Sequence, residues 1–249
     1  MMKAIEGISI NGELHTAHDL DLLWLKGASV AQSPEPKRLR EEIPGRDGVM
    51  EYSDYYDGIT FFENREITYR FCFYGDHAKL CAAQDALLRY HGRSVNIVED
   101  SDRDFFVRGS VSVAIDEHGY NYAYFTLTVD AEPYRRRISP TVCHLTDISG
   151  TKVIELCNNT MPVQLTVCIN SFANTGSGTY SLLIAPLTSL FSARIFESQA
   201  EESIVINDFL LKGGVQRVQF DTQAHAGASV HTDPDVTADV TISYTEGKF

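Results

Sequence analysis

Short runs of alternating apolar and polar residues recur along the chain and constrain its fold more than any other feature. Successive residues of such a run point to opposite faces of a strand, so that one face can be buried. In the second part of the chain these runs are separated by turn-forming residues, with no helical period between them. The runs are Lys152–Leu156, Val163–Ile169, Thr179–Ile184, Ile204–Leu211, Val215–Phe220 and Val236–Tyr244. Strands at this spacing predict a β-sandwich.

The first part of the chain is also rich in predicted strands. The alternating run Ala4–Ile10 is followed by Asn11-Gly12, a strong hairpin signal. The aromatic run Ile67–Tyr74 predicts another strand, and so does the segment after Gly119. That last strand divides its side chains between two faces, with Tyr120, Tyr122 and Tyr124 on one and Phe125, Leu127 and Val129 on the other. We expect the core to cover one face and a neighbouring subunit the other.

One helix is predicted, over about Asp76–His91. Leu80, Leu87 and Leu88 follow helical spacing and supply its buried side chains. Asp76 is suited to the N-cap and Gly92 to a left-handed C-terminal cap. The predicted fold class is therefore mainly β. Residues 1–137 form a β-barrel or sandwich domain with one packed α-helix, and residues 138–249 form a second β-sandwich domain.

The segment from Gly27 to Asp57 has no regular pattern. Its prolines and glycines exclude a helix or a central strand across it. A structureless loop of this length is uncommon inside a compact domain and is usually functional. It also carries apolar and aromatic residues that a solvated loop does not need: Ile43, Val49, Met50, Tyr52, Tyr55 and Tyr56. We therefore expect this segment to lie against another surface.

Composition and charge narrow the possible functions. The content of 43% hydrophobic and 22% charged residues is typical of a globular protein and argues against wholesale disorder. The net charge of −13 argues against binding to nucleic-acid phosphates or to an anionic membrane. The beginning of the sequence lacks the apolar run of a signal peptide, and the five cysteines are odd in number. We expect synthesis in the cytoplasm, no membrane partner and free thiols.

No motif predicts catalytic, cofactor-binding or metal-binding residues. Asp100–Asp104 begins like a calcium loop, but Phe105 stands where glycine is needed and Val111 where a glutamate belongs. His15 and His18 have the spacing of metal ligands, but no third ligand lies near them in the sequence. A phosphate-binding loop and a dinucleotide-binding motif are both absent from the sequence. We therefore expect no cofactor.

Several short motifs occur in an order that resembles a known family. They are Ile8–Gly12, Pro34-Glu35-Pro36-Lys37, Ile43-Pro44-Gly45-Arg46-Asp47-Gly48, Arg65-Glu66-Ile67-Thr68, the Leu80–Leu88 helix, Phe105-Phe106-x-x-Gly109 and Glu132-Pro133-Tyr134. Together they resemble the distal tail protein of long-tailed, siphovirus-type bacteriophages, also called the phage tail component family. The match covers most of residues 1–137, and the segment from Pro34 to Gly48 is its most specific part.

The resemblance implies a structural virion protein and not an enzyme. In this family six copies form a ring at the tip of the tail tube, and the DNA passes through the channel without specific binding. Residues 1–137 would line the channel, and residues 138–249 would face outward as a sandwich similar to galectins and carbohydrate-binding modules. One side of the ring would meet the major tail tube protein, and the other the hub of a tail-associated lysin or fibre protein. The localisation implied is the tail tip, after synthesis in the host cytoplasm.

The long loop is the candidate assembly interface. Because interfaces favour tyrosine and arginine, we expect it to contact a neighbouring subunit or the adjoining tube ring. The candidate residues are Pro36, Lys37, Pro44, Gly45, Arg46, Asp47, Gly48, Tyr52, Tyr55 and Tyr56.

Two other functions remain open from the residues alone. The first is a carbohydrate-binding adhesion module, which needs an exposed aromatic platform. Trp24, the single tryptophan, lies in an apolar strand, so packing in a core or an interface is favoured over sugar stacking. The second is a glycoside hydrolase, whose paired carboxylates need no sequence adjacency.

Overall fold

The computed structural model describes residues 6–38, 40–42, 44, 47, 49–51, 60–159, 161–174, 179–186, 194–198, 204–211, 214–226, 229–232 and 236–249. Contacts divide the chain into two compact units. The first holds the described residues up to Ile138 together with Phe249, and the second holds Ser139–Lys248.

The first unit is built from eleven strands, one α-helix and a short 3-10 helix, Lys26–Ala28, among its described residues. The strands are β1 (Ile8–Ile10), β2 (Leu14–His15), β3 (Leu23–Trp24), β4 (Val30–Ala31), β5 (Arg40–Glu42), β6 (Val49–Glu51), β7 (Arg65–Tyr74), β8 (Ser94–Glu99), β9 (Asp102–His118), β10 (Tyr122–Ala131) and β11 (Arg135–Arg137). An antiparallel sheet runs in the order β2-β1-β8-β9-β10-β7-β3, and β4 follows β3 along the same edge of β7. β11 pairs with β9, and β5 and β6 form a separate hairpin.

The hairpin predicted at Asn11-Gly12 is confirmed. Asn11 and Gly12 have φ angles of 54° and 70°, and the Glu13 N–H donates to the Ile10 carbonyl at 3.0 Å. Two successive left-handed residues match the right-handed twist of the flanking strands.

The helix α1 spans His77–Leu88 and ends three residues earlier than predicted. Leu80, Ala83 and Leu87 are buried, whereas Leu88 is exposed and does not supply a buried side chain. Leu80 and Leu87 join the main core, which the inward residues of β7 and β10 dominate. Asp76 is the N-cap residue but its side chain makes no capping hydrogen bond, and Gly92 adopts the predicted left-handed conformation.

The second unit has ten described strands: β12 (Thr141–Ser149), β13 (Thr151–Cys157), β14 (Val163–Asn174), β15 (Thr179–Pro186), β16 (Arg194–Ser198), β17 (Ile204–Leu211), β18 (Val215–Ala226), β19 (Ser229–Thr232), β20 (Val236–Tyr244) and β21 (Gly247–Lys248). One sheet has the order β12-β20-β14-β17. The other has the order β13-β18-β15-β16, with β19 paired to β18. The buried residues come from both sheets, for example Val167 and Ile242 from the first and Val218 and Phe220 from the second.

These units confirm the predicted fold class, a mainly β chain with one described α-helix and a following sandwich. The six strands predicted in the second unit are all present. β12 was not predicted because a bulge between Leu145 and Ile148 interrupts its alternation, with Asp147 at φ 51°. The described part of the chain contains no helix long and apolar enough to cross a membrane.

Candidate functional site

The proline-rich part of the candidate interface runs alongside the segment that leads into β7. Pro36 forms an isolated antiparallel bridge with Phe62, and the Lys37 N–H donates to the Phe61 carbonyl at 2.8 Å. The Glu63 N–H in turn donates to the Glu35 carbonyl, also at 2.8 Å. The part of the loop around Pro36 is therefore fixed by backbone hydrogen bonds within its own unit.

The rest of the loop is less irregular than predicted. The short strands β4, β5 and β6 lie within it. The prolines of the loop fall outside these strands, so they remove no hydrogen bond from the strand pairs. Pro44 and Asp47 are exposed. Gly45, Arg46, Gly48, Tyr52, Tyr55 and Tyr56 lie outside the described residues. The assignment of the loop to an interface stays a prediction.

A second candidate surface is the outward face of β7 and β10, which carries Tyr74, Tyr122 and Tyr124 and is called the tyrosine face below. Tyr74 and Tyr124 are 77% and 42% exposed. Tyr120, which the alternation placed on the same face, precedes β10, and its ring stacks on that of His77 with 4.6 Å between centroids. Phe125, Leu127 and Val129 are buried on the opposite face, as the alternation predicts. Sequence reasoning missed Tyr74, because only the register Tyr122↔Tyr74 brings it beside the other tyrosines.

A shallow groove of about 280 Å³ lies beside Tyr124. Its polar lining comes from Arg70, Asp116, Glu117 and Thr126, and the Thr126 hydroxyl donates a hydrogen bond to Asp116. Mixed charges next to an exposed aromatic ring are suited to the polar side chains of a protein partner, since interfaces combine such groups.

Trp24 packs against the core of the first unit, which confirms its predicted packing role. Its ring lies 5.9 Å from that of Tyr69, between centroids, and its Nε1–H donates to the Ser29 hydroxyl at 2.9 Å. The Lys26 ammonium sits 4.7 Å over the ring. These contacts leave the indole poorly placed to stack on a sugar.

The histidines near the first hairpin bind protein groups. The Nε2–H of His15 donates to Asp100 Oδ2 at 3.0 Å, and Nδ1 of His15 accepts the His18 N–H at 3.2 Å. Both ring nitrogens of His15 are therefore occupied. The described residues hold no group of three or more His, Cys, Asp or Glu placed for a metal ion.

Asp100, the first residue of the acidic run, holds the β8–β9 turn against the first hairpin. It accepts the Gly7 N–H at 2.8 Å on Oδ2 and the Arg103 guanidinium at 2.7 Å on Oδ1. Burial by itself would raise the pKa of Asp100, but the Gly7 and Arg103 hydrogen bonds and the attraction of His15 hold it below its ordinary value. Asp100 and Ser101 thus form the turn, and Asp102–Asp104 begin β9.

A partly buried ionic cluster that the sequence did not predict lies beside Tyr69 of β7. Arg135 binds Glu99 through two hydrogen bonds, Nη2 to Oε1 at 2.8 Å and Nη1 to Oε2 at 3.2 Å. The Tyr69 hydroxyl donates to the same Glu99 Oε1 at 2.9 Å. Burial, followed by the charge of Glu99, raises the pKa of Tyr69 well above its ordinary value, so the phenol stays a donor.

Comparison with known proteins gives a strong structural likeness. No family model and no curated protein sequence matches the chain. The fold is similar to the crystal structure of the SPP1 Dit (gp 19.1) protein, described as a paradigm of the hub adsorption apparatus in phages that infect Gram-positive bacteria. That match has a TM-score of 0.63 and 13% identity, and it covers 99% of this chain and 100% of the SPP1 protein.

Weaker likenesses also involve viral proteins. The infectious bursal disease virus VP2 subviral particle gives a TM-score of 0.31 at 11% identity, over 88% of this chain and 71% of that one. An archaeal virus protein with a triple jelly roll gives a TM-score of 0.27 at 13% identity, and the match covers 99% of this chain and 68% of that one. Scores this low support no inference. The SPP1 Dit match shows that the two chains share a fold across nearly their whole lengths.

Proposed function

We propose that this chain is a structural protein of the tail tip of a long-tailed phage. Six copies form a ring at the distal end of the tail tube, around the channel through which DNA passes. The ring connects the major tail tube protein to the hub of a lysin or fibre protein. The observation that carries the proposal is the fold shared with the SPP1 Dit protein over 99% of this chain.

The motifs of the first unit support the same function independently. The order of motifs that resembles the distal tail family lies within residues 1–137, whereas the likeness of fold extends over both units. We assign residues 1–137 to the ring around the channel and residues 138–249 to its periphery. The net charge of −13 suits a channel wall that must not hold DNA, because like charges repel the phosphates.

Two surfaces of the first unit are assigned to assembly. A ring made by head-to-tail contacts uses two different patches on each subunit. The tyrosine face supplies one patch, because it exposes aromatic surface on a rigid sheet. The loop supplies the other, because its residues Pro36, Lys37, Pro44 and Asp47 are exposed.

The oligomeric state tests the proposal directly. Light scattering of the purified chain should give a mass six times that of the 27.8 kDa chain, and negative-stain images should show rings with a central channel. A monomer at all concentrations would contradict the ring. A ring in which residues 138–249 line the channel would contradict the domain assignment.

The carbohydrate-binding alternative makes a different prediction. It requires an exposed aromatic platform and sugar binding by a monomer. Among the described side chains of the second unit, the exposed large apolar residues are valines, namely Val142, Val153 and Val215. Binding of cell-wall oligosaccharides to a monomer in a glycan array would favour this alternative over the ring.

A further inference from the structure

The beginning of α1 places a histidine and a cysteine side by side on the surface of the first unit. His77 is the first residue of the helix and Cys81 follows one turn later, so the two side chains lie on the same helix face. Both residues are exposed, so a solute reaches them directly. The Nε2 atom of His77 and the Sγ atom of Cys81 are 3.7 Å apart. Imidazole nitrogen and thiolate sulfur are ligands that zinc favours in proteins.

The imidazole of His77 is held in the tautomer and orientation that a metal ligand needs. Its Nδ1 atom lies 2.8 Å from the Tyr120 carbonyl oxygen. Because a carbonyl oxygen only accepts hydrogen bonds, Nδ1 carries the hydrogen, and Nε2 keeps a lone pair that faces the Cys81 sulfur. The ring also stacks on the Tyr120 ring, with 4.6 Å between centroids and 9° between planes. A hydrogen bond on the second ring nitrogen is the usual way in which proteins orient a metal-binding histidine.

The separation of the two donor atoms fits a single metal ion. In a tetrahedral zinc site the metal lies about 2.1 Å from nitrogen and about 2.3 Å from sulfur, which puts these two donors about 3.6 Å apart. The observed 3.7 Å therefore requires almost no rearrangement. Lys79, between the two residues in sequence, projects from the opposite side of the helix, and its ammonium pairs with Asp21 at 2.7 Å. Its positive charge therefore does not oppose a cation bound by the histidine and the cysteine.

We propose that His77 Nε2 and Cys81 Sγ together bind a divalent metal ion, zinc above all. The thiol releases its proton to the solvent when the bond between zinc and sulfur forms, whereas the neutral imidazole binds without losing a proton. The described residues supply no third ligand, so water molecules complete the tetrahedron and one ion binds to each chain. The site goes beyond the proposed tail function and does not depend on it, because both ligands and Tyr120 belong to the first unit.

Cobalt(II) tests the site, because it occupies zinc sites and gives an absorption spectrum. Titration of the reduced chain with cobalt chloride should produce a sulfur-to-cobalt charge-transfer band that saturates at one ion per chain. Zinc should then abolish the band, since such ligands bind zinc more tightly than cobalt. Cys81→Ser should lack the band, and His77→Gln should need at least about ten times more cobalt for half-saturation. The control, Cys157→Ser, removes another exposed cysteine and should keep the band.

Protection of the thiols gives a second readout, made on the native chain and resolved by residue. Saturating zinc should slow the alkylation of Cys81 by iodoacetamide at least about tenfold and leave that of Cys157 unchanged, as measured by peptide mass spectrometry. Magnesium should protect neither cysteine, because thiolate ligands favour zinc over hard cations.

Four results would each overturn the proposal. They are the absence of a saturating cobalt band, a band that persists in Cys81→Ser, an unchanged cobalt requirement in His77→Gln, and equal protection of Cys81 and Cys157 by zinc. Saturation at half an ion per chain would also contradict it, since the remaining ligands would then come from a second copy and not from water.

Discussion

At the scale of single residues, Asp100 shows how one carboxylate can fix a turn to a distant hairpin. It accepts hydrogen bonds from the Gly7 backbone, from His15 and from Arg103, and two of these donors lie more than 80 residues away in sequence. Its folded-state pKa is lowered, so the ionised form is the one that folding favours. The stabilisation is therefore complete above the ordinary aspartate pKa of about 3.9 and is lost as the pH falls below it.

Replacement of Asp100 by asparagine tests this account. Asp100→Asn should lower the free energy of unfolding by about 1–2 kcal/mol at pH 6, because a neutral amide is a weaker acceptor for Arg103 and His15. The difference from the native chain should shrink as the pH is lowered below about 4. Urea unfolding at several pH values measures both effects. Asp104→Asn, in an exposed position of β9, is the control and should change little. A loss that is independent of pH would show that the charge of Asp100 is not involved.

At the scale of elements, the close approach of β9 to β10 depends on Gly109. This residue pairs with Val95 on one side and with Ala131 on the other. A Cβ at position 109 would lie 2.3 Å from the Asp130 carbonyl oxygen and 2.7 Å from the Ala131 Cα. Those neighbours are backbone atoms within a sheet, so they cannot move aside as a flexible side chain can.

We therefore expect Gly109→Ala to destabilise the first unit by about 1–3 kcal/mol, the usual cost of overpacking. Gly27→Ala is the matched control, since a Cβ there meets no atom within 4 Å. Its effect should stay within about 0.5 kcal/mol. Thermal or urea unfolding, followed by near-ultraviolet circular dichroism, measures both variants. If Gly109→Ala is as stable as the native chain, the sheet is more adaptable at this point than its geometry indicates.

The elements that could be predicted from sequence are those with a regular local period. The strand β10 was predictable because its alternation is unbroken, and the hairpin after Ile10 because Asn11-Gly12 favours left-handed backbone angles. The strand β12 was not predictable, since its bulge at Asp147 breaks the alternation of apolar and polar residues. Short strands such as β4 gain their structure from an edge of β7 and carry no local signal.

The interactions missed at the candidate sites are those between residues far apart in sequence. Arg135 and Glu99 are 36 residues apart, and nothing in either local sequence predicts that they pair. Tyr74 joins the tyrosine face only through the register between β7 and β10. In contrast, the glycine of the motif Phe105-Phe106-x-x-Gly109 was recognised from sequence, and the contact with β10 supplies its physical reason.

At the scale of the whole molecule, exposed aromatic surface is distributed unevenly between the two units. Among the described side chains, the exposed large aromatic residues, Tyr74 and Tyr124 among them, belong to the first unit, whereas the exposed large apolar residues of the second unit are valines. Tyrosine is enriched in protein interfaces because its ring adds contact area with little loss of conformational entropy. The distribution therefore favours contacts between first units in the proposed ring, with the second units outside those contacts.

A pair of double variants tests this distribution. Tyr74→Ser with Tyr124→Ser removes aromatic surface from two side chains that are 77% and 42% exposed, so folding should lose at most about 0.5 kcal/mol per site. Assembly should be impaired strongly, with light scattering showing monomers at concentrations where the native chain forms rings. The control, Val153→Ser with Val215→Ser, alters side chains of the second unit that are 48% and 60% exposed and should assemble normally. If the valine variant loses the ring and the tyrosine variant keeps it, the second unit carries the contacts and the assignment of the first unit to the ring is wrong.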